Sequence, residues 1–298
     1  MKKSKIINDI IKKQLSNHSI INLEDLEKKL KNSKKNYLKF IINGKKIKVE
    51  EFSKCKRNRR NPFLFTLRKV VQKFPNLNTI IYCDINDWSN KDMIDEPIFV
   101  YSAFKGTKNF VIPDYLFLND YSNNSGRNND KDSHDNMVLK YRNKYNFEDK
   151  KSKCFFRAGT VKNNNIIKMF KNYDLVDACK SSHNWMEYEE MFKHKYVISH
   201  YMKWDSVYFF LKSDIFTFLY DGFGTYLWYD LFLEEDVHYY KFKTKEEFDD
   251  KINHLENNSF IAKQIIENSS KVVDDFFNME TAIDYIGNLL LEYQKLVI

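Results

Sequence analysis

The sequence predicts an α/β protein with two lobes, and three observations carry this prediction. The chain has 298 residues, which exceeds the usual size of a single domain. Apolar, strand-like runs alternate with amphipathic helical patterns, as in a layered α/β domain. A polar segment rich in Asn, Ser and Asp, residues 119–136, interrupts this alternation. We therefore predict a lobe over residues 1–140 and another over 141–298, with the last helices as candidates for crossing back.

The first lobe reads as helices followed by a hairpin and several strands. Leucines recur at helical spacing within residues 1–35. The segment "YLKFIINGKKIKVEEF" predicts a β-hairpin with Asn43-Gly44 as its turn. "NPFLFTLRKVVQKFPN" predicts an amphipathic helix that ends near Pro75. "NTIIYCDIND", "PIFVYSAF" and "GTKNFVIPDYLFL" each predict a strand.

The second lobe repeats the strand–helix–strand rhythm. Its predicted strands lie in "CFFRA", "YDLVDA", "KYVISHY" and "DIFTFLYD", with helical segments between them. "TKEEFDDKINHLENN" has Thr244 and Glu247 at the spacing of a capping box. The apolar residues of this helix that we expect to face inward are Phe248, Ile252 and Leu255. Two closing helices are predicted over residues 259–277 and 280–296.

Composition limits the kind of protein without naming it. The formal net charge is +8, and the basic excess lies largely in the first 60 residues. Such a surface either binds an anionic partner or is simply solvated, and the abundance of Asn and Lys also fits coding bias. Glycine is scarce, and neither G-x-G-x-x-G nor G-x-x-x-x-G-K-[ST] occurs.

Cysteine spacing and hydropathy argue against a zinc site or a membrane anchor. The four cysteines form no C-x-x-C pair, and Cys83 and Cys154 lie in apolar runs, as reduced core residues do. The "DKD" of residues 130–132 sits in a charged loop and not at a strand end, which disfavours a metal site there. No apolar run reaches 18 residues and the N-terminus has no signal-peptide pattern, so we predict a cytoplasmic protein.

Carboxylates at the ends of predicted strands are the first candidate site residues. Asp84 and Asp87 follow "TIIYC", where a carboxylate can act as a general base or simply cap the next segment. Asp177 and Ala178 end "YDLVDA", where they either contact a ligand or form an ordinary strand end. His194 lies in apolar surroundings and is predicted to be a structural histidine.

The heptad "CFFRAGT" suggests an anion site. Arg157 ends an apolar run, and the small residues Ala158 and Gly159 precede Thr160. Small residues let backbone N–H groups approach a phosphate, and an arginine can hold the same group with two hydrogen bonds. The alternative is a salt-bridged arginine at a turn.

Taken in order, these segments resemble glycosyltransferase family 90, the lipopolysaccharide-modifying and protein O-glucosyltransferases. The helix and strand that end at Asp84 look like the family's segment for its base, and "PIFVYSAFK", from Pro97, is similar to its P-x-F-x-F-x-x-K strand. "VIPDY" resembles the element that follows. "FFRAGT" resembles F-R-G-S, "LVDA" with Trp185 resembles the base-contacting strand, and "FKHKYVIS" resembles K-Y-x-Y-L-x-N. "DVHYYKFKTKEEFDDKINHL" is similar to the H-Y-I-P-V strand and its helix, and the resemblance covers about residues 38–296.

The resemblance implies two Rossmann-like lobes facing across a cleft, the GT-B arrangement. It implies an inverting transfer from a UDP-sugar, with glucose or xylose as the sugar, to a hydroxyl of a glycan or glycoprotein. It also implies that no metal is needed. Asp84 would deprotonate the acceptor, and Asp177 with Ala178 would contact uracil. The family, together with the composition, suggests a viral or microbial enzyme of glycan biosynthesis.

The same resemblance implies that the segment "CFFRAGT" binds the diphosphate of the donor. Arg157, Ala158, Gly159 and Thr160 would hold it, and their positive field would stabilise the leaving group where other enzymes use a metal. The family's F-R-G-S reads Phe156-Arg157-Ala158-Gly159 here, so each of its last two residues is replaced by another small residue.

One phosphate-contacting residue of the family pattern is changed. Its S-x-R motif corresponds to Ser206 and Tyr208, so a tyrosine stands where the arginine would reach the diphosphate. Tyr208, Lys203 or Lys212 could take over this contact. An inactive relative that binds glycans or nucleotide sugars is therefore the alternative. A nucleic-acid-binding protein is a third, less favoured, because the basic runs contain few aromatic residues.

Overall fold

The chain forms two units, each built on its own five-stranded sheet. The first unit comprises Met1–Asn128, Thr225–Leu231 and Phe276–Ile298, and the second comprises Asn129–Gly224 and Phe232–Asp275. The sequence placed one boundary after residue 140 and named the last helices as candidates for crossing back. The chain returns to the first unit at Phe276–Ile298, and also at Thr225–Leu231, which the sequence did not suggest. The computed structural model describes residues 2–16, 18–33, 37–51, 57–85, 95–120, 134–142, 144–158, 165–171, 173–180, 188–199, 210–222 and 224–298.

The helices follow the amphipathic segments of the sequence, with some shifted ends. The helical region predicted over residues 1–35 is two helices, separated by a stretch in which Ile21 pairs with Val297. The helix predicted over residues 204–213 lies largely outside the described residues. In chain order the helices are α1 (Lys2–Leu15), α2 (Leu23–Asn32), α3 (Arg57–Lys73), α4 (Tyr115–Asp120), α5 (His134–Tyr141), α6 (Asn165–Met169), α7 (Tyr188–Phe192), α8 (Lys245–Asn257), α9 (Ser259–Phe276) and α10 (Met279–Tyr293).

The strands also match the predicted apolar runs, although several are shorter. The run "PIFVYSAF" is broken at Tyr101 into two strands, and most of the polar loop predicted over residues 119–136 lies outside the described residues. In chain order the strands are β1 (Leu38–Asn43), β2 (Lys46–Glu51), β3 (Asn78–Asp84), β4 (Phe99–Val100), β5 (Ser102–Phe104), β6 (Phe110–Val111), β7 (Lys151–Ala158), β8 (Val176–Lys180), β9 (His194–Ser199), β10 (Phe216–Tyr220), β11 (Thr225–Leu227) and β12 (Tyr240–Phe242).

The first sheet is mixed, in the order β2-β1-β3-β4-β6. β1 pairs antiparallel with β2 and β3, and β3, β4 and β6 are parallel. The hairpin turn is Gly44-Lys45, one residue later than predicted, because Asn43 still pairs with Lys46. Gly44 has φ of 56°, which glycine adopts without the strain of a Cβ. β3, β4 and β6 therefore end at one edge of this sheet, and Asp84 is the last residue of β3.

The second sheet is entirely parallel, in the order β12-β10-β9-β7-β8. Numbered along the chain, this is the strand order 2-1-3-4-5, one of the common doubly wound arrangements. Its strands are nearly continuous apolar runs because both faces of a parallel sheet are covered. In β7, for example, Cys154, Phe155 and Phe156 are all buried.

Alternate residues of the second sheet build one core with the helices that follow it. Phe156 of β7 and Phe218 of β10 belong to the same buried cluster as Phe248, Ile252 and Leu255 of α8. The inward face predicted for α8 is therefore confirmed. The N-cap is confirmed too: Thr244 accepts a hydrogen bond from the Glu247 backbone N–H at 3.2 Å. The Glu247 carboxylate accepts from the backbone N–H of Lys243, one residue before the position that a capping box uses.

Within the described part of the chain, no helix is long and apolar enough to cross a bilayer.

We predict that Thr244→Ala lowers the free energy of unfolding of the second unit by about 1 kcal/mol, because it leaves an N-terminal backbone N–H of α8 unpaired. Urea unfolding followed by circular dichroism measures this. Thr244→Ser keeps the hydroxyl and should unfold like the unsubstituted protein. Equal stability of the alanine and serine variants would contradict the capping role.

Candidate nucleotide-sugar site

The strand order of the second sheet defines where a ligand is expected. β8 lies on one side of β7 and β9 lies on the other, so the order reverses between β7 and β9. In open α/β sheets, ligands bind outside the carboxyl ends of the strands at such a reversal, where the two connections diverge. β7 ends at Ala158 and β9 ends at Ser199. These two strand ends are the candidate site.

The register brings the two strand ends to the same level. Phe155 pairs with Val197. Two residues further along, Arg157 and Ser199 therefore lie near the carboxyl ends of neighbouring strands. Ser199 is a buried polar residue that the sequence did not suggest. The signal for it was available, since it is the first hydroxyl after the apolar run "YVI".

The remaining predicted diphosphate residues lie outside the described residues. Gly159 and Thr160 directly follow β7, and Ser206 and Tyr208 come in the segment that follows β9. The two segments predicted to contact the phosphates therefore follow neighbouring strands, β7 and β9, in the chain. Lys212, one alternative cation, pairs with Asp274 at 2.7 Å.

Helix α6, which follows β7 in the described part of the chain, is too short to contribute a large dipole. It spans Asn165–Met169, which is little more than one turn. A longer helix would place a larger partial charge at its N-terminus. Attraction for an anion at this strand end would therefore depend on Arg157 and on backbone N–H groups.

Asp177 does not end its strand, contrary to the sequence interpretation. β8 begins at Val176 and continues to Lys180, so three residues, roughly 10 Å of extended chain, separate Asp177 from its carboxyl end. Its partners are also at the amino ends of their strands: Lys153 near the start of β7 and His194 at the start of β9. Asp177 thus lies at the amino half of the sheet, away from the candidate site. Ala178 is one residue further and pairs with Phe156.

The contacts of Asp177 are those of a structural ion pair. Its Oδ2 is 2.9 Å from His194 Nε2, and its Oδ1 is 3.3 Å from Lys153 Nζ. His194 is fully buried, and its Nδ1 lies 2.9 Å from the backbone oxygen of Glu190. Burial raises the pKa of Asp177, but the hydrogen bonds with His194 and Lys153 outweigh it, so the pKa is lowered overall. This network joins the starts of three strands and agrees with the structural role predicted for His194.

An open cavity of about 500 Å³ lies beside this network, lined by Lys151, Ser152, Lys153, Asp174, Leu175 and Asp177. Two of its lysines are already paired, Lys151 with Glu190 and Lys153 with Asp177. A diphosphate entering here would have to compete with these carboxylates for their cations. The cavity also lies at the amino edge, where doubly wound sheets do not bind their ligands. We therefore keep the candidate donor site at the ends of β7 and β9.

In the first unit, Asp84 is held at the carboxyl end of β3. It pairs in register with Val100 of β4, and its neighbours Cys83 and Ile85 are buried while Asp84 itself is half-buried. An aspartate here is fixed by its strand yet keeps access to solvent. Asp87, the other predicted carboxylate, lies outside the described residues.

A buried aspartate of "VIPDY" organises the same edge. Asp114 Oδ1 accepts hydrogen bonds from the backbone N–H groups of Leu116 and Phe117, which starts α4. Its Oδ2 accepts from the Tyr229 hydroxyl at 3.0 Å. Tyr229 belongs to the segment that returns to this unit, so Asp114 ties that segment to the end of β6. The motif "VIPDY" is visible in the sequence, but its partner Tyr229 is not, because Tyr229 is distant in the chain.

A doubly wound parallel sheet places a ligand-binding crevice outside the carboxyl ends of its strands, at the strand reversal. The chain belongs to glycosyl transferase family 90, whose sequence model matches residues 8–298. Among solved structures, it is similar to the C-terminal domain of a glycosyl transferase group 1 family protein (LpcC) from Francisella tularensis. That similarity has 13% identity and a TM-score of 0.30, covering 47% of this chain and 91% of that one. No curated protein sequence matches significantly.

We predict that Asp177→Asn destabilises the protein at neutral pH and has little effect in acid. A lowered pKa means that the folded state resists protonation, so the carboxylate stabilises the fold above the ordinary aspartate pKa of about 3.9. That stabilisation is lost as the pH falls through the lowered pKa. Thermal unfolding across pH 3–8 measures the difference from the unsubstituted protein.

The matched control is Asp174→Asn, which neutralises a nearby exposed aspartate with no ion pair among the described residues. It should change the melting temperature little at any pH. A pH-independent effect of Asp177→Asn would show that its charge is not what stabilises the sheet.

Proposed function

We propose that this glycosyltransferase moves a sugar from a UDP-sugar to a hydroxyl of a glycan or glycoprotein, with inversion and without a metal. The observation that carries the proposal is the position of Arg157, next to the end of β7 at the strand reversal of a family 90 chain. A UDP-sugar donor is the ligand implied by the family resemblance of "FFRAGT". Glucose and xylose are the sugars it favours.

The second unit would bind the donor. Arg157 can offer two parallel N–H groups to one phosphate, and Ala158, Gly159 and Thr160 leave room for the diphosphate to approach the backbone. Charge builds on the β-phosphate oxygen as the bond to the sugar breaks. Fixed donors aimed at that oxygen would stabilise the transition state more than the ground state.

Asp84 of the first unit would act as the general base. The acceptor hydroxyl gives its proton to the carboxylate while its oxygen forms a bond to the anomeric carbon. The bond between that carbon and UDP breaks on the opposite face, so the configuration inverts and UDP leaves with the electron pair. The half-buried position of Asp84 supports this role, since a base must be fixed and still reach its substrate.

An inactive relative that binds nucleotide sugars is the second candidate. Tyr208 stands where the family pattern has an arginine, so one cation expected at the diphosphate is replaced by a neutral phenol. Binding of the donor without turnover would favour this candidate.

We predict that Arg157→Ala weakens UDP binding by about 1.5–3 kcal/mol, the loss expected for a hydrogen-bonded charge pair. Isothermal titration calorimetry with UDP measures it directly. Lys271→Ala removes one exposed positive charge elsewhere on the second unit and should leave the affinity unchanged. If Arg157→Ala binds UDP as well as the unsubstituted protein, Arg157 is a turn residue and not a phosphate ligand.

We predict that Asp84→Asn abolishes sugar transfer and leaves UDP affinity unchanged, since the amide cannot accept the acceptor proton. Slow hydrolysis of UDP-glucose or UDP-xylose, with water as the acceptor, provides the assay before the natural acceptor is known. Asp9→Asn, an exposed change on α1, is the matched control. Turnover in Asp84→Asn comparable to the control would remove Asp84 from the role of base.

A further inference from the structure

Tyr37 lies directly before β1, where the chain faces the end of β3. The antiparallel register pairs Leu38 with Cys83, so the next position outward sets Tyr37 opposite Asp84. Directly opposed residues of an antiparallel pair point to the same face, with Cβ atoms about 4.5–5.5 Å apart. The two side chains therefore share one face of the first sheet.

The Tyr37 side chain is buried as deeply as the core, yet its hydroxyl is not satisfied. Its relative exposure is 1%, and the Oη atom makes no hydrogen bond of normal geometry with the described residues. Burying an unpaired hydroxyl is unfavourable, so native structures usually provide a partner. A phenylalanine would pack here without that penalty. The hydroxyl therefore calls for an explanation other than packing.

The same face carries a second tyrosine whose hydroxyl is satisfied. Tyr82 donates to Glu27 of α2 at 2.6 Å, and Lys39, which lies opposite Tyr82, contacts the same carboxylate at 2.6 Å. A hydrogen bond from Lys31, together with those from Lys39 and Tyr82, lowers the pKa of Glu27 to about 2. On β2, Glu50 pairs with Lys39 and Lys48. The charged groups of α2, β1 and β2 on this side are thus engaged with one another.

We propose that Tyr37 is a positioning residue for Asp84, whose ionised carboxylate accepts a hydrogen bond from the Tyr37 hydroxyl in the reactive complex. The inference rests on the proposed function, in which Asp84 takes the acceptor proton. Catalytic hydrogen bonds are often long in unliganded enzymes and shorten when substrate binds. Burial raises the pKa of Tyr37, a weak contact with Ser33 lowers it, and the negative charge of Asp84 raises it further.

This bond would orient the base without taking part in proton transfer. The phenol would bind one oxygen of Asp84, and the other oxygen would receive the proton of the acceptor hydroxyl. Tyr37 keeps its own proton throughout, since its raised pKa disfavours the phenolate. Loss of the hydroxyl would leave the carboxylate less ordered and its ionised form less stabilised, so the pKa of Asp84 would rise.

The test is Tyr37→Phe in the full chain, with the Asp84 carboxyl followed by ¹³C NMR during a pH titration. We expect the Asp84 titration midpoint to rise by about one pH unit, as for the loss of a charge-assisted hydrogen bond. The rate of UDP-glucose hydrolysis should fall roughly tenfold, and the acid limb of its pH profile should move up with the midpoint. UDP affinity should not change. An unmoved Asp84 midpoint would overturn the proposal, even if the variant is less stable.

The matched control is Tyr82→Phe. It removes a hydroxyl from the same face of the sheet, but this hydroxyl already donates a hydrogen bond to Glu27. It should leave the Asp84 midpoint in place. If Tyr37→Phe does not fold, the test is made on the unsubstituted protein by following the ¹³C resonance of Tyr37 Cζ during the pH titration. The proposal predicts that this resonance shifts at the titration midpoint of Asp84. A Cζ resonance that does not change at that midpoint would count against the proposal. Full activity of Asp84→Asn would refute the proposed function instead, since the NMR titration reports the coupling without any turnover.

Discussion

Parallel pairing of β7 with two different neighbours is the constraint on which the second unit depends. β7 bonds to β8 on one side and to β9 on the other, so the connections that leave its end and the end of β9 must diverge. A gap then exists above these strand ends whatever the side chains are. The side chains decide what fills it, and Arg157 followed by small residues suits a diphosphate. The topology and the resemblance of "FFRAGT" to the family motif are the two reasons for proposing a donor site at these strand ends.

The opposite edge of the same sheet shows why a strand carboxylate alone is weak evidence for a site. In the sequence Asp177 seemed to end an apolar run, which allowed a ligand contact or an ordinary strand end, and the family resemblance implied the contact. In the structure it is engaged by Lys153 and His194 near the starts of their strands. Such a network, anchored on the buried His194, fixes how neighbouring strands begin, and it leaves little free charge for a ligand. Register, which the sequence does not reveal, separates the two roles.

Much of the fold was predictable because apolar periodicity reports burial directly. Strands of the second unit were found as apolar runs, and the capped helix after Thr244 was found with its inward residues. The strand order was not predictable, since it depends on pairings between distant segments. Nor was the return of Thr225–Leu231 to the first unit, which rests on contacts such as that between Tyr229 and Asp114. The one-residue shift of the turn to Gly44-Lys45 reflects the pairing of Asn43 with Lys46, which a single sequence does not reveal.

The candidate site was predictable in part for the same reason. Asp84 and Arg157 end or nearly end recognisable strands, so the pattern and the family resemblance could both find them. Ser199 and Tyr37 were missed because their interest comes from neighbours across a strand pair. A buried hydroxyl beside a carboxylate has no signature in a single sequence. It becomes visible once β1 and β3 are aligned in register.

The most direct test of the account is to map UDP binding on the isotope-labelled protein in the presence of EDTA. Backbone amide shifts in NMR distinguish the two edges of the second sheet. The account predicts metal-free binding with the largest shifts at Arg157 to Thr160 and at Ser199, and small shifts at Lys153 and Asp177. Shifts centred on Lys153 and Asp177, or no binding of UDP at all, would contradict the donor site proposed at the ends of β7 and β9.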